Sequence, residues 1–124
     1  MSVETFQKLD VWQKGHALTL QIYKESIRFP VQERFGLVVQ IRRSCSSICA
    51  NIVEGYKKSD KEFVRYLSIA EASLEETKYH LILAKDLNYL KTERFDQLFA
   101  IANEVGRMIN GLARKIKTDL NINA

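Results

Sequence analysis

Histidine is scarce in this chain, with only His16 and His80 among 124 residues. A paired-metal site in a helical bundle needs Glu-x-x-His on two helices and a glutamate from each of two others. Here Glu76 and His80 are four apart rather than three, and His16 has no neighbouring glutamate. A grouping of Glu54, Glu71, Glu75 and His80 can be drawn, but it lacks the repeated motif, so no metal is expected. Cysteine is equally sparse. Cys45 and Cys49 stand one helical turn apart, a spacing that fits neither a zinc knuckle nor the usual redox pair. They read as buried thiols acting as small hydrophobes. The five glycines are scattered. They build no phosphate-cradling loop, and none frames Ser44, Ser46 or Ser47 as a nucleophile elbow. No catalytic residue or cofactor is assigned, and the chain reads as non-enzymatic. No apolar run approaches a membrane span. The opening MSVETFQKLDVWQK lacks a signal peptide's uncharged core, which leads to the expectation of a cytoplasmic protein. No strand-like alternation, internal repeat or low-complexity stretch is visible.

What is present is ordinary for a soluble globular domain: 46% hydrophobic and 27% charged residues. The length corresponds to a single domain over residues 1–124, large enough to bury a core without disulfides or metals. A net charge of +4 permits binding to a polyanion without demanding it.

Hydrophobic spacing divides the chain into four helices. The first is expected over 9–29, with Trp12, Leu20, Tyr23 and Ile27 as its apolar stripe, Val11, Leu18 and Ile22 beside it, and Gly15 as a local weakness. Pro30, the only proline, ends it. The second is expected over 33–54 and the third over 60–88, opened by the capping box Ser59-x-x-Glu62. The fourth is expected over 93–117, with Thr92 as its N-cap. Residues 1–8 and the tail TDLNINA are expected to be loose. Phe63, Leu67, Ala70, Leu74, Thr77, Leu81 and Ala84 step by four and three along helix three. Phe95, Leu98, Ala102, Val105, Ile109, Leu112 and Ile116 do the same on helix four. Four amphipathic helices joined by short turns imply an all-α, antiparallel up-and-down four-helix bundle.

The second helix is apolar on more than one side. Val38, Ile41, Cys45, Ile48 and Ile52 form its core seam. Arg43, Ser47, Ala50 and Glu54 lie opposite, a mostly small face flanked by Asn51. Small side chains leave room for a close helix, from this chain or from another copy, so these five residues are oligomer-interface candidates. Arg43 and Glu54, about 16 Å apart along the axis, are too distant to pair with each other. Gly55 is expected to stop the helix in a left-handed conformation.

The turn after this helix is basic. Lys57, Lys58, Lys61 and Arg65 gather there, with Arg42 and Arg43 further back, and Asp60 and Glu62 interrupt the run. These six cations are the nucleic-acid-binding candidates, and ring symmetry would multiply a modest patch into a strong one. Tyr56 and Tyr66 lie nearby, either as stacking platforms or as rim of the core.

The run QIRRSCSSICANIVEGYKKSDKEFVRYLSIAEASLEETKYHLILAKDLNYL, preceded by LDVWQKGHALTLQIYKESIRFPVQERFGL, resembles the four-helix-bundle proteins encoded in intervening sequences of bacterial 23S ribosomal RNA genes. The resemblance runs from about Phe6 to Lys117. Its most specific part is R-x-x-x-S-I-x-x-N-I-x-E-G, met here by Arg43, Ser47, Ile48, Asn51, Ile52, Glu54 and Gly55. Val53 stands where alanine is more usual. The chain is also similar to the accessory variability proteins of diversity-generating retroelements, basic pentameric barrels that work with nucleic acid. The resemblance implies an up-and-down bundle assembled as a homo-oligomer, a pentameric ring, and it carries over no catalytic residue. The expected function is therefore an oligomeric module that binds structured RNA or DNA through phosphate contacts. The alternative is an oligomeric scaffold for a protein partner.

Overall fold

The computed structural model describes residues 5–120. Four α-helices run α1 Asp10–Ser26, α2 Leu37–Tyr56, α3 Asp60–Asp86 and α4 Thr92–Asp119, and no strand occurs among the described residues. Each helix packs on the next and α1 also packs on α4, which closes the bundle. Cross-helix contacts show that neighbours are antiparallel. Ser44 meets Thr77 while Ser47 meets Ser73. Similarly, Glu25 meets Arg94 while Lys14 meets Glu104.

The core follows the period of the sequence on three helices. Ile41, Cys45, Ile48 and Ile52 are at most 1% exposed, and Leu67, Ala70, Leu74, Leu81 and Ala84 are equally enclosed. Leu98, Ala102, Val105 and Ile109 complete the interior from α4. Helix α1 departs from expectation. Its buried face is Val11, Gly15, Leu18, Thr19, Ile22 and Ser26, whereas Leu20, Tyr23 and Ile27 of the expected stripe are exposed. Small and hydroxylated residues are inside because α1 lies close to α2. A Cβ on Gly15 would come within 3.0 Å of Cys49 Sγ, and Thr19 Oγ1 lies 3.1 Å from the Cys45 carbonyl of α2.

The first two helices are shorter at their junction than the sequence suggests. Helix α1 ends at Ser26, and tight backbone turns from Arg28 to Glu25 and from Phe29 to Ser26 carry Phe29 into the core. A 3-10 turn occupies Val31–Glu33. Glu33 is thus not the start of α2 but its cap, its Oε1 accepting the Leu37 N–H at 3.1 Å. The other carboxylate oxygen accepts from the Tyr89 hydroxyl at 2.9 Å, tying this turn to the α3–α4 turn.

Two termini behave differently from expectation. Gly55 does not end α2 in a left-handed conformation; it is helical and buried, and no described glycine has positive φ. Its role is close approach, since a Cβ there would sit 2.5 Å from Tyr66 Cβ and 3.0 Å from Phe63 Cδ1. The left-handed residue is Asn88, φ 65°. It closes α3 with Asn88 N–H to the Lys85 carbonyl and Tyr89 N–H to the Ala84 carbonyl, the paired bonds of a Schellman end. Ser59 does cap α3, accepting the Glu62 N–H at 3.3 Å. On α4 the cap position is Lys91 rather than Thr92, and the Lys91 side chain makes no capping hydrogen bond. At the chain ends, Thr5–Lys8 forms a 3-10 turn and α4 continues through Asp119. Residues 1–4 and 121–124 of the expected loose segments lie outside the described residues.

Candidate nucleic-acid interface

Antiparallel packing sends the α2–α3 turn to one end of the bundle and the α1–α2 and α3–α4 turns to the other. The six cations expected to contact nucleic acid therefore divide. Lys57, Lys58, Lys61 and Arg65 cluster at the α2–α3 end, all exposed. Among the described residues, Lys57, Lys58 and Lys61 pair with no carboxylate, while Arg65 Nε holds Glu62 Oε2 at 3.1 Å. That hydrogen bond and its charge raise the guanidinium pKa further above its ordinary value.

Arg42 and Arg43 are elsewhere and engaged. Arg42 donates to Ser26 Oγ at 2.9 Å and to the Tyr23 carbonyl at 3.1 Å, with its guanidinium 4.7 Å from the Tyr23 ring centre. It thus places a cation on the negative end of α1, where charge and dipole favour each other. Arg43 pairs with Glu76 of α3 and also donates to Gln40. Glu76 is shared with His80, whose Nε2 lies 3.1 Å away.

The nearby tyrosines belong to the fabric of this end. Tyr56 meets Phe63 edge to face at 5.9 Å between ring centres. The Tyr66 ring has the Arg65 guanidinium 4.7 Å and the Lys58 ammonium 5.9 Å from its centre. Its backbone is fixed by Gly55, against which its Cβ packs. The turn thus presents ammonium and guanidinium groups around a ring already in use. That geometry suits phosphate oxygens, read by charge, better than stacked bases.

Of the interface candidates on α2, three are engaged within the chain. Arg43 holds Glu76, Ser47 Oγ lies 2.9 Å from Ser73 Oγ, and the Asn51 amide donates to Ser47 Oγ at 3.0 Å. Ala50 and Glu54 are exposed. The small face thus admits α3 of this chain first. Large exposed apolar side chains lie away from this face: Leu20 and Tyr23 on α1, Ile27 just after it, and Val31, Phe35 and Val39 across the α1–α2 corner. The sequence did carry this signal, since α1 has more apolar residues than one stripe can bury.

The cysteines are structural. Both are buried and free. Burial pushes the Cys45 thiol up to about 11 and the Cys49 thiol up to about 12, far from the thiolate character that nucleophilic or metal-binding thiols need. No group of three or more metal-donor side chains converges among the described residues, and no described helix is long and apolar enough to cross a membrane.

A second basic region was not visible in the sequence. Lys24, Arg28, Lys85, Lys91 and Arg94 line one cleft at the opposite end of the bundle. They are spread over 71 positions of the chain, and only the turns at that end bring them together.

Comparison with known proteins agrees with this architecture. The family model described as 23S rRNA-intervening sequence protein matches residues 7–111. A crystal structure of a protein of unknown function of the S23 ribosomal protein family, from Bacteroides thetaiotaomicron, is similar with a TM-score of 0.75 and 28% identity. The match covers 83% of this chain and 97% of that one. No curated protein matches the chain.

Proposed function

Taking as premise that the chain belongs to the 23S rRNA-intervening sequence protein family, we propose that it is a non-enzymatic homo-oligomer that binds structured RNA or DNA through the α2–α3 end of the bundle. The observation that carries this reading is the cluster Lys57, Lys58, Lys61 and Arg65. Three of its four cations lack a carboxylate partner among the described residues, on a turn anchored by Gly55, Phe63 and Tyr66. Such groups neutralise phosphates and release counterions, so affinity falls steeply with salt and depends little on sequence. One cluster of four is a modest site. Repetition around a closed ring, five-fold as the family resemblance implies, would present several such clusters to one backbone.

The apolar corner supports assembly. Ile27 is 75%, Val31 73% and Phe35 87% exposed in the single chain, the kind of surface that association covers.

The test is Lys57→Glu with Lys58→Glu, titrated against a labelled structured RNA and a duplex DNA over a range of salt. Both sites are exposed, so the fold and its melting temperature should be kept. Affinity at low salt should fall at least tenfold, with a shallower dependence on salt. A folded double variant that binds as the parent does would remove this turn from the reading and favour the protein-scaffold alternative.

A further inference from the structure

The cleft at the other end of the bundle has a composition that nothing in the preceding reading uses. It encloses about 770 Å³ between the C-terminal part of α1 and the α3–α4 turn. Five cations line it, Lys24, Arg28, Lys85, Lys91 and Arg94, against one carboxylate, Glu25. The whole chain carries only +4, so this one concavity gathers as much net positive charge as the molecule has.

The cations are not equivalent. Arg94 is engaged on three sides: Nε to Glu25 Oε2 at 3.0 Å, Nη2 to Gln21 Oε1 at 3.0 Å and Nη1 to Gln97 Oε1 at 2.8 Å. It fixes α4 to α1 and neutralises the only carboxylate in the wall. Lys85 rests with its ammonium 4.5 Å from the centre of the Phe95 ring. Lys24, Arg28 and Lys91 have no carboxylate partner among the described residues. Three cations thus remain uncompensated, and a fourth is held only by a ring face.

The wall between them is partly apolar and firm. Leu90 is 3% exposed. Tyr89 is held by Glu33 through its hydroxyl and by Phe29 through its ring. Asn88 is held by the Schellman bonds. A concave, cation-lined site with low-dielectric walls focuses positive potential. Lys91 and Thr92, which begin the 28-residue α4, form part of the wall, and the Lys91 side chain makes no capping hydrogen bond there. The cleft meets the positive end of α4 but also the negative ends of α1 and α3, so its potential rests on the side-chain charges.

We propose that this cleft binds an oligophosphate group, a di- or triphosphate, which carries several negative charges in a volume that this cavity accommodates. A single orthophosphate would reach only some of the cations, and a carboxylate ligand would match still less of the charge. Two molecules present this chemistry: a free nucleoside triphosphate and the 5′-triphosphate end of an RNA. The site is separate from the phosphate-backbone contacts proposed at the α2–α3 turn. The two lie at opposite ends of α3, about 40 Å apart by its rise.

The experiment is calorimetric titration of the full chain at low salt with inorganic tripolyphosphate, orthophosphate, a nucleoside triphosphate, and one RNA bearing either a 5′-triphosphate or a 5′-hydroxyl. The variants are Arg28→Glu with Lys91→Glu in the cleft and Lys57→Glu with Lys58→Glu at the far end. All four positions are exposed, and thermal melts establish that both proteins fold. The expected result is tripolyphosphate binding at least tenfold tighter than orthophosphate, lost at least tenfold in the cleft variant and unchanged in the far-end variant. A preference for the nucleotide or for the triphosphorylated RNA end then identifies the source of the group. Absence of tripolyphosphate binding at millimolar concentration, or equal losses in both variants, overturns the proposal and marks the charge as diffuse surface. The nucleic-acid reading is tested separately, by the far-end variant against the 5′-hydroxyl RNA.

Discussion

At Gly55 a residue's ordinary preference and its tertiary setting oppose each other. In an exposed helix, glycine to alanine stabilises by about 1 kcal/mol, because alanine loses less backbone entropy. Gly55 lies within α2, and its missing Cβ is what lets Tyr66 approach, since a Cβ there would fall 2.5 Å from Tyr66 Cβ. That contact is with the root of a side chain, which cannot swing aside without moving α3. Gly55→Ala should therefore destabilise by about 1–3 kcal/mol, the usual cost of overpacking. The urea midpoint of the purified protein should fall with little change in slope. A rise in midpoint would show that the helices part more easily than this packing implies.

At the level of elements, the α2–α3 pair is joined by a ladder of side-chain hydroxyls. Thr77 is fully buried, with Oγ1 2.9 Å from Ser44 Oγ and 2.9 Å from the Ser73 carbonyl. One turn along, Ser47 and Ser73 are bonded, and Asn51 joins from the next turn. Short side chains let the two axes come close, and their hydrogen bonds fix the register of one helix against the other. Thr77→Val keeps the shape but deletes the bond, and should cost about 1 kcal/mol. Ser46→Ala, on the exposed side with only its own helix for a partner, should stay within about 0.5 kcal/mol of the parent. Equal effects in the same denaturation series would mean that the ladder contributes no stability beyond that of any surface hydroxyl. The α1–α4 contact uses charge instead, through Arg94 to Glu25 and Lys14 to Glu104.

For the whole molecule the question is what covers the α1–α2 corner. Ile27, Val31 and Phe35, at 75%, 73% and 87%, are the most exposed large apolar side chains among the described residues, with Leu20 and Val39 also exposed on the flanking helices. If copies of the chain cover them in a ring, Ile27→Lys with Phe35→Lys should reduce the mass measured by sedimentation to that of the monomer while the helical signal persists. Affinity for nucleic acid should fall in the same variant, because the basic turns no longer act together. A parent protein that sediments as a monomer at tens of micromolar would sink the ring reading.

The sequence by itself determined the elements and most of the interior. Periodicity on α2, α3 and α4 placed the core, because a helix must turn its apolar stripe inward to remove it from water. At Ser59 the expected cap formed as local chemistry dictates, its hydroxyl accepting the Glu62 N–H, while the Glu62 carboxylate pairs with Arg65. Tertiary structure decided what local rules leave open. It turned α1 so that Gly15 and Thr19 rather than Leu20 and Tyr23 face α2, since the closeness of two helices is a property of the pair. It made Gly55 a point of contact rather than a terminus, and Glu33 a side-chain cap in the preceding 3-10 turn rather than the first residue of α2. It also committed Arg42 and Arg43 to α1 and α3 while leaving Lys57, Lys58 and Lys61 without carboxylate partners among the described residues. The cleft lay beyond the reach of spacing altogether: Lys24, Arg28, Lys85, Lys91 and Arg94 share no local pattern, and only antiparallel packing places the end of α1 beside the turn between α3 and α4.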